Sequence, residues 1–186
     1  KNLHRMKTKF IMLIVLFTSV FVGCKDDKSV DDLDVKKSEV ATSGFKITIN
    51  AIVNHDDSFQ IFFNEDGSES YDGTQMIDIP VKGKAEAQDL VFTLPEDAKP
   101  MNLRFDIGSN NAQKSVKFNS MKIDYNGKSF STDGAKFFKY FYPNGQVECD
   151  TINATAKIVE KPNEIYDPII GATPDLKKEI ENLYKK

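Results

Sequence analysis

The residues best suited to touch a ligand form an aromatic run, Phe137-Phe138-Lys139-Tyr140-Phe141-Tyr142, leading into Pro143-Asn144-Gly145. Read as a strand, it places Phe138, Tyr140 and Tyr142 on one face and Phe137, Lys139 and Phe141 on the other. One row can enter a core. A second row would offer flat rings to sugars or an apolar patch to a protein partner. The alternative is a central strand buried on both faces beneath a C-terminal helix. Of the two candidate tyrosines, Tyr142 is the one expected to be exposed, because the Pro143-Asn144-Gly145 turn follows it.

Three other groups could do chemistry. Asn64-Glu65-Asp66-Gly67-Ser68-Glu69-Ser70-Tyr71-Asp72-Gly73 is dense in the hard oxygens that calcium favours, with Glu65, Asp66 and Asp72 as the candidate ligands. Its spacing departs from the helix–loop–helix calcium pattern, and a solvated acidic turn is the competing reading. Tyr71 in that segment, together with Asn54, His55 and Asp57, falls near strand ends where binding loops gather on a rigid sandwich. Arg104 and Asp106 stand two apart, so in a strand they share a face, either as a structural ion pair or as a polar ligand contact.

Catalytic constellations are sparse. The two histidines are His4 and His55, too few for a His-rich zinc site. No Gly-x-Ser-x-Gly elbow, phosphate loop or His-Glu-x-x-His occurs. Cys149 would need His55 as its base, and a lone cysteine more commonly packs as a small apolar residue. Carboxylates are abundant, so a glycosidase pair remains open; it would require two of them facing each other across a cleft. A non-catalytic binding protein is the expectation.

The elements that must position these residues are strands. Phe45, Ile47, Ile49, Ala51 and Val53 alternate with Lys46, Thr48, Asn50 and Ile52. The same period of two recurs in Phe59-Ile61-Phe63, Ile77-Ile79-Val81, Leu90-Phe92-Leu94 and Leu103-Phe105-Ile107. It continues in Val116-Phe118, Met121-Ile123-Tyr125 and Ala154-Ala156-Ile158. Asn126-Gly127 is the clearest two-residue hairpin turn. Fourteen Phe and no Trp suit an aromatic-rich core. The expected fold is an all-β antiparallel sandwich over residues 44–159, followed by a Pro-containing strap and a C-terminal helix over 160–186. In that helix Thr173 is the N-cap, Pro174 opens the first turn, and Leu176, Ile180 and Leu183 recur on one face. The helix either docks on its own domain or serves a partner.

The first 23 residues have the layout of a secretory signal, with residues 1–5 a candidate upstream extension. Lys7 and Lys9 are followed by about fourteen uncharged residues, shorter than the roughly twenty that span a bilayer. Phe21-Val22-Gly23-Cys24 resembles a bacterial lipobox, with Phe21 standing where Leu is usual. That resemblance implies lipidation at Cys24 and attachment through acyl chains, leaving a flexible tether over 24–43. Lys25-Asp26-Asp27 resembles the export signal that carries Bacteroidota-type lipoproteins to the outer face of the outer membrane. Removing the signal leaves about 160 residues, enough for one domain with a real core. The net charge of -3 gives no basic excess for nucleic acid.

Leu103-Arg104-Phe105-Asp106-Ile107-Gly108, followed by Val116-Lys117-Phe118-Asn119-Ser120-Met121-Lys122-Ile123, resembles a strand leading through a loop into the next strand in the galactose-binding-like jelly-roll sandwiches and related carbohydrate-binding modules. The resemblance spans roughly residues 45–159 and implies a jelly-roll β-sandwich. It makes a glycan the favoured ligand and a surface protein the alternative, bound by an assembly lipoprotein through its aromatic face and terminal helix. No cofactor is implied beyond the calcium considered above.

Overall fold

Alternation in the sequence becomes two facing antiparallel sheets. The computed structural model describes residues 43–185. Among these the order is β1 (Phe45–Val53), β2 (Asp57–Asn64), β3 (Met76–Val81), β4 (Lys84–Thr93), β5 (Asn102–Asp106), β6 (Ser115–Tyr125) and β7 (Lys128–Asp133). Then come α1 (Gly134–Tyr140), β8 (Phe141–Pro143), β9 (Val147–Asp150), β10 (Thr155–Ile158), β11 (Ile169–Ala172) and α2 (Pro174–Tyr184). One sheet runs β4-β1-β6-β10-β9, with β7 also paired to β6; the other runs β3-β2-β5-β11-β8. The segment expected to be a signal, Cys24 and Lys25-Asp26-Asp27 lie outside the described residues.

Every second residue of β1, from Phe45 to Val53, is buried, as are Phe59, Ile61 and Phe63 of β2 and Leu103 and Phe105 of β5. Between the sheets the rings form a continuous path. Phe105 lies 5.8 Å from Phe59, 5.7 Å from Phe92 and 6.2 Å from Phe118, and Phe118 stacks on Phe137 at 4.1 Å. Burying each such ring contributes roughly 1.5–3 kcal/mol. The interrupted period between Phe118 and Met121 is a bulge in a single strand, β6: the register against β1 shifts between Asn50 and Ala51. Asn126 and Gly127, with φ of 47° and 81°, make the turn joining β6 to β7, where positive φ at both central residues matches the strand twist.

Two features depart from the sequence expectation. The aromatic run is not one strand. Asp133 accepts from the Lys136 N–H and caps a short helix, α1, so Phe137 and Tyr140 turn inward at helical spacing before the chain extends again at Phe141. The chain beyond residue 159 is also more than a strap with a helix. β11 sits between β5 and β8, inside the second sheet, where neighbours on both sides satisfy its backbone. Helix α2 packs on its own domain: Leu176, Ile180 and Leu183 join the core, and Thr173 accepts from the Leu176 N–H.

Candidate functional site

The outer face of the second sheet carries the site. A row runs across its strands through register pairs: Met76 opposite Phe62, Phe62 opposite Arg104, Arg104 opposite Gly171, and Gly171 opposite Tyr142. Gly171 is what lets this row close. A Cβ there would meet the Tyr142 ring at 2.6 Å, so the ring lies over β11 in space that any other residue would fill. Arg104 packs its guanidinium over the Phe62 ring, 4.2 Å from the centroid, with the Tyr71 ring at 5.7 Å.

Arg104 is held from the side by Asp106. Its Nε donates to Oδ1 at 2.8 Å and its Nη2 to Oδ2 at 2.7 Å, the bidentate arrangement that suits a planar guanidinium. This bond pushes the Arg104 pKa further up. Burial pushes the Asp106 carboxyl above the ordinary aspartate range, against the pull of the guanidinium, and the nearby charge of Asp167 acts in the same direction as burial.

The loop between β2 and β3 folds back over this face because two buried asparagines hold it. Asn64 Nδ2 donates to the carbonyls of Ser68 at 2.9 Å and Ser70 at 2.8 Å, and Asn64 Oδ1 accepts from the Gly67 N–H. Asn102 Nδ2 donates to the Ser68 carbonyl at 2.6 Å. The fold-back brings Glu69 over the sheet, where it accepts from Tyr142 Oη at 2.9 Å and Lys177 Nζ at 2.6 Å. The Lys177 bond, with smaller help from Tyr142 and Asn102, holds the Glu69 carboxyl below the usual glutamate range. Tyr71 comes down beside it. Burial, reinforced by the Glu69 carboxylate, pushes its phenol pKa upward, and among the described residues its buried hydroxyl has no hydrogen-bond partner.

Glu69, Tyr71, Arg104, Tyr142, Asn144, Ile169 and Gly171 thus line a cleft of about 310 Å³. Tyr71, Arg104 and Tyr142, singled out in the sequence, meet here, and Asp106 braces the floor. Tyr140 does not. It is 8% exposed and packs edge-on against Phe130 at 4.9 Å, because α1 rotates it away from the face that Tyr142 shares. Tyr142 is 45% exposed.

The calcium set is not assembled. Glu65 accepts from the Lys99 N–H at 2.7 Å, Asp66 from Ser68 at 2.9 Å and Asp72 from Thr74 at 2.8 Å. These carboxylates close turns, and among the described residues no three acidic, histidine or cysteine side chains converge on a metal position. A wider basin of about 760 Å³ borders the same loop, lined mainly by these turn groups. Asn54, His55 and Asp57 lie at the opposite end of β2 from Tyr71, so that grouping does not form. Asp57 instead accepts from the N–H groups of Ser109 and Asn110 and fixes the loop after β5. Cys149 packs against the core, and burial raises its thiol to about 11, far from an activated nucleophile.

Sequence reasoning missed Glu69, Gly171, Asn144 and Lys177. The available signal was Gly171 itself, a glycine inside a short apolar run, which marks close approach of another group. No family model, curated protein or solved structure matches the chain at a significant level.

Proposed function

We propose that this chain is a lipid-anchored, cell-surface, non-catalytic protein that binds a glycan in the cleft above β11. The observation that carries this reading is two tyrosine rings, Tyr71 and Tyr142, flanking a polar cleft that offers Arg104, Glu69 and Asn144. Sugar rings combine an apolar C–H face with dense hydroxyls, and they are held by a flat ring next to such donors and acceptors. The galactose-binding-like resemblance of Leu103 to Gly108 and Val116 to Ile123 supports the same ligand class.

The assembly-protein alternative draws on the aromatic face together with the terminal helix. Leu176 and Ile180 are fully buried and Leu183 nearly so, which favours the glycan reading over a partner held by these three residues. A glycan array probed with the chain from Ser38 onward tests the binding reading. Retained signal in the native protein and its loss in Tyr142→Ala supports it; a blank array for the native protein overturns it.

The anchoring half rests on Cys24 and Lys25-Asp26-Asp27. Cys24→Ala is expected to abolish fatty-acid labelling. Replacing Lys25, Asp26 and Asp27 with alanine is expected to leave labelling intact but protect the protein from protease added to whole cells.

A further inference from the structure

We infer that the cleft selects neutral sugars over their uronic acid counterparts, an inference that rests on the glycan-binding reading above. The charged groups that pair at the cleft or act on it are the cations Arg104 and Lys177 and the carboxylates Glu69, Asp106 and Asp167. Each cation already has a carboxylate partner. Asp106 engages one edge of the Arg104 guanidinium with two bonds, and Glu69 takes the Lys177 ammonium. Asp167 adds a carboxylate whose field reaches both Arg104 and Asp106. A sugar carboxylate entering here would lose water and meet three carboxylates against two cations that are already paired.

A hydroxyl suits the same groups. It donates to a carboxylate oxygen and accepts from an N–H, and two of the five N–H donors of Arg104 are already on Asp106, leaving others for a ligand. An ionised carboxylate only accepts, so it cannot serve Glu69 or Asp106. The volume of about 310 Å³ is at the small end for ligand sites, which fits a terminal sugar rather than a long run of residues.

Matched pairs isolate the charge. Oligosaccharides ending in galactose or galacturonate, and in glucose or glucuronate, differ at one carbon and are titrated calorimetrically against the full chain. In at least one pair the neutral member is expected to bind about tenfold more tightly at low salt, and the ratio should shrink as salt screens the field. Glu69→Gln keeps a hydrogen-bonding group beside Tyr142 but releases the Lys177 ammonium, so the ratio should narrow by roughly fivefold. Asp167→Asn removes the excess charge without touching the Lys177 pair and should narrow it as well, which covers the case where the Glu69 variant misfolds. Equal or tighter uronate binding in both pairs overturns the selectivity inference while leaving glycan binding standing. Absence of binding to all four sugars, with an array that is also blank, removes both.

Discussion

The two outer sheet faces of this sandwich start from the same alternation and end differently. On the β1-containing sheet the outward polar groups pair with one another across and along the strands. Asn50 donates to Asp89 at 2.6 Å and accepts from Asn119 at 2.9 Å, and Lys122 meets Asp124 at 2.8 Å with Lys46 at 3.9 Å. On the β11-containing sheet Gln60 pairs with Asp78 toward the β3 edge, but farther across one position of the row is a glycine, a loop folds back over the strands, and aromatic rings take up much of the face. The first face is closed by its own hydrogen bonds. The second is left with a cavity, a half-exposed ring and a buried hydroxyl without a partner. The difference lies in what crosses the face, because the inward rows of both sheets are equally apolar.

The largest effect that would sharpen this comparison is inside the molecule. Tyr140→Ala should cost roughly 3–5 kcal/mol, lowering the melting temperature by about 10 °C or more. Tyr142→Ala, two residues on, should cost about 1 kcal/mol or less while abolishing glycan signal. Comparable destabilisation by both would show that Tyr142 is structural, and the outer aromatic face would lose its meaning.

Next is Gly171→Ala. The added methyl occupies the place of the Tyr142 ring, so the ring must lift off the sheet. Binding should fall nearly as far as in Tyr142→Ala, with a stability loss well below that of Tyr140→Ala, both read from a melt and a binding titration. Full binding in this variant would mean that ring placement over β11 is unimportant.

A smaller effect is the pH dependence of the loop latch. The Glu69 pKa is lowered from its ordinary 4.5, so its contribution to stability is complete above that value and is lost as pH falls through the folded value. The melting-temperature gap between native protein and Glu69→Gln should therefore be open at about pH 7 and close toward about pH 3. A gap that is constant across that range would detach Glu69 from Lys177 and Tyr142 in solution. The smallest effect is expected on the other face: Asn50→Ala should cost about 1 kcal/mol or less and leave sugar titrations unchanged.

Much of the frame is legible in the amino-acid sequence. The period of two in Phe45 to Val53 and Phe59 to Phe63, the Asn126-Gly127 turn, and the Thr173-Pro174 helix start each express a local rule that the structure obeys. The aromatic run misleads because Phe and Tyr favour strands by propensity, while the helical spacing of Phe137 and Tyr140 behind an Asp133 cap carries the opposite message. β11 is illegible for another reason. Ile169 and Ile170 favour a strand, but two residues followed by Gly171 and Ala172 and flanked by Pro168 and Pro174 are too short a signal, and pairing to β5 and β8 is what makes them one.

The site shows the same division. Arg104, Asp106, Tyr71 and Tyr142 stand out by residue type and local spacing, and their chemistry is set by the chain itself. Which of them meet is decided in three dimensions. Asn64 and Asn102 turn a loop back over the sheet, Gly171 makes room for one ring, and α2 carries Lys177 across to Glu69 over a sequence separation of 108 residues. Alternation, turn residues and caps are properties of a few neighbouring amino acids, so sequence determines them. A cleft depends on which strands become neighbours, and that follows from the burial of the whole core rather than from any segment alone.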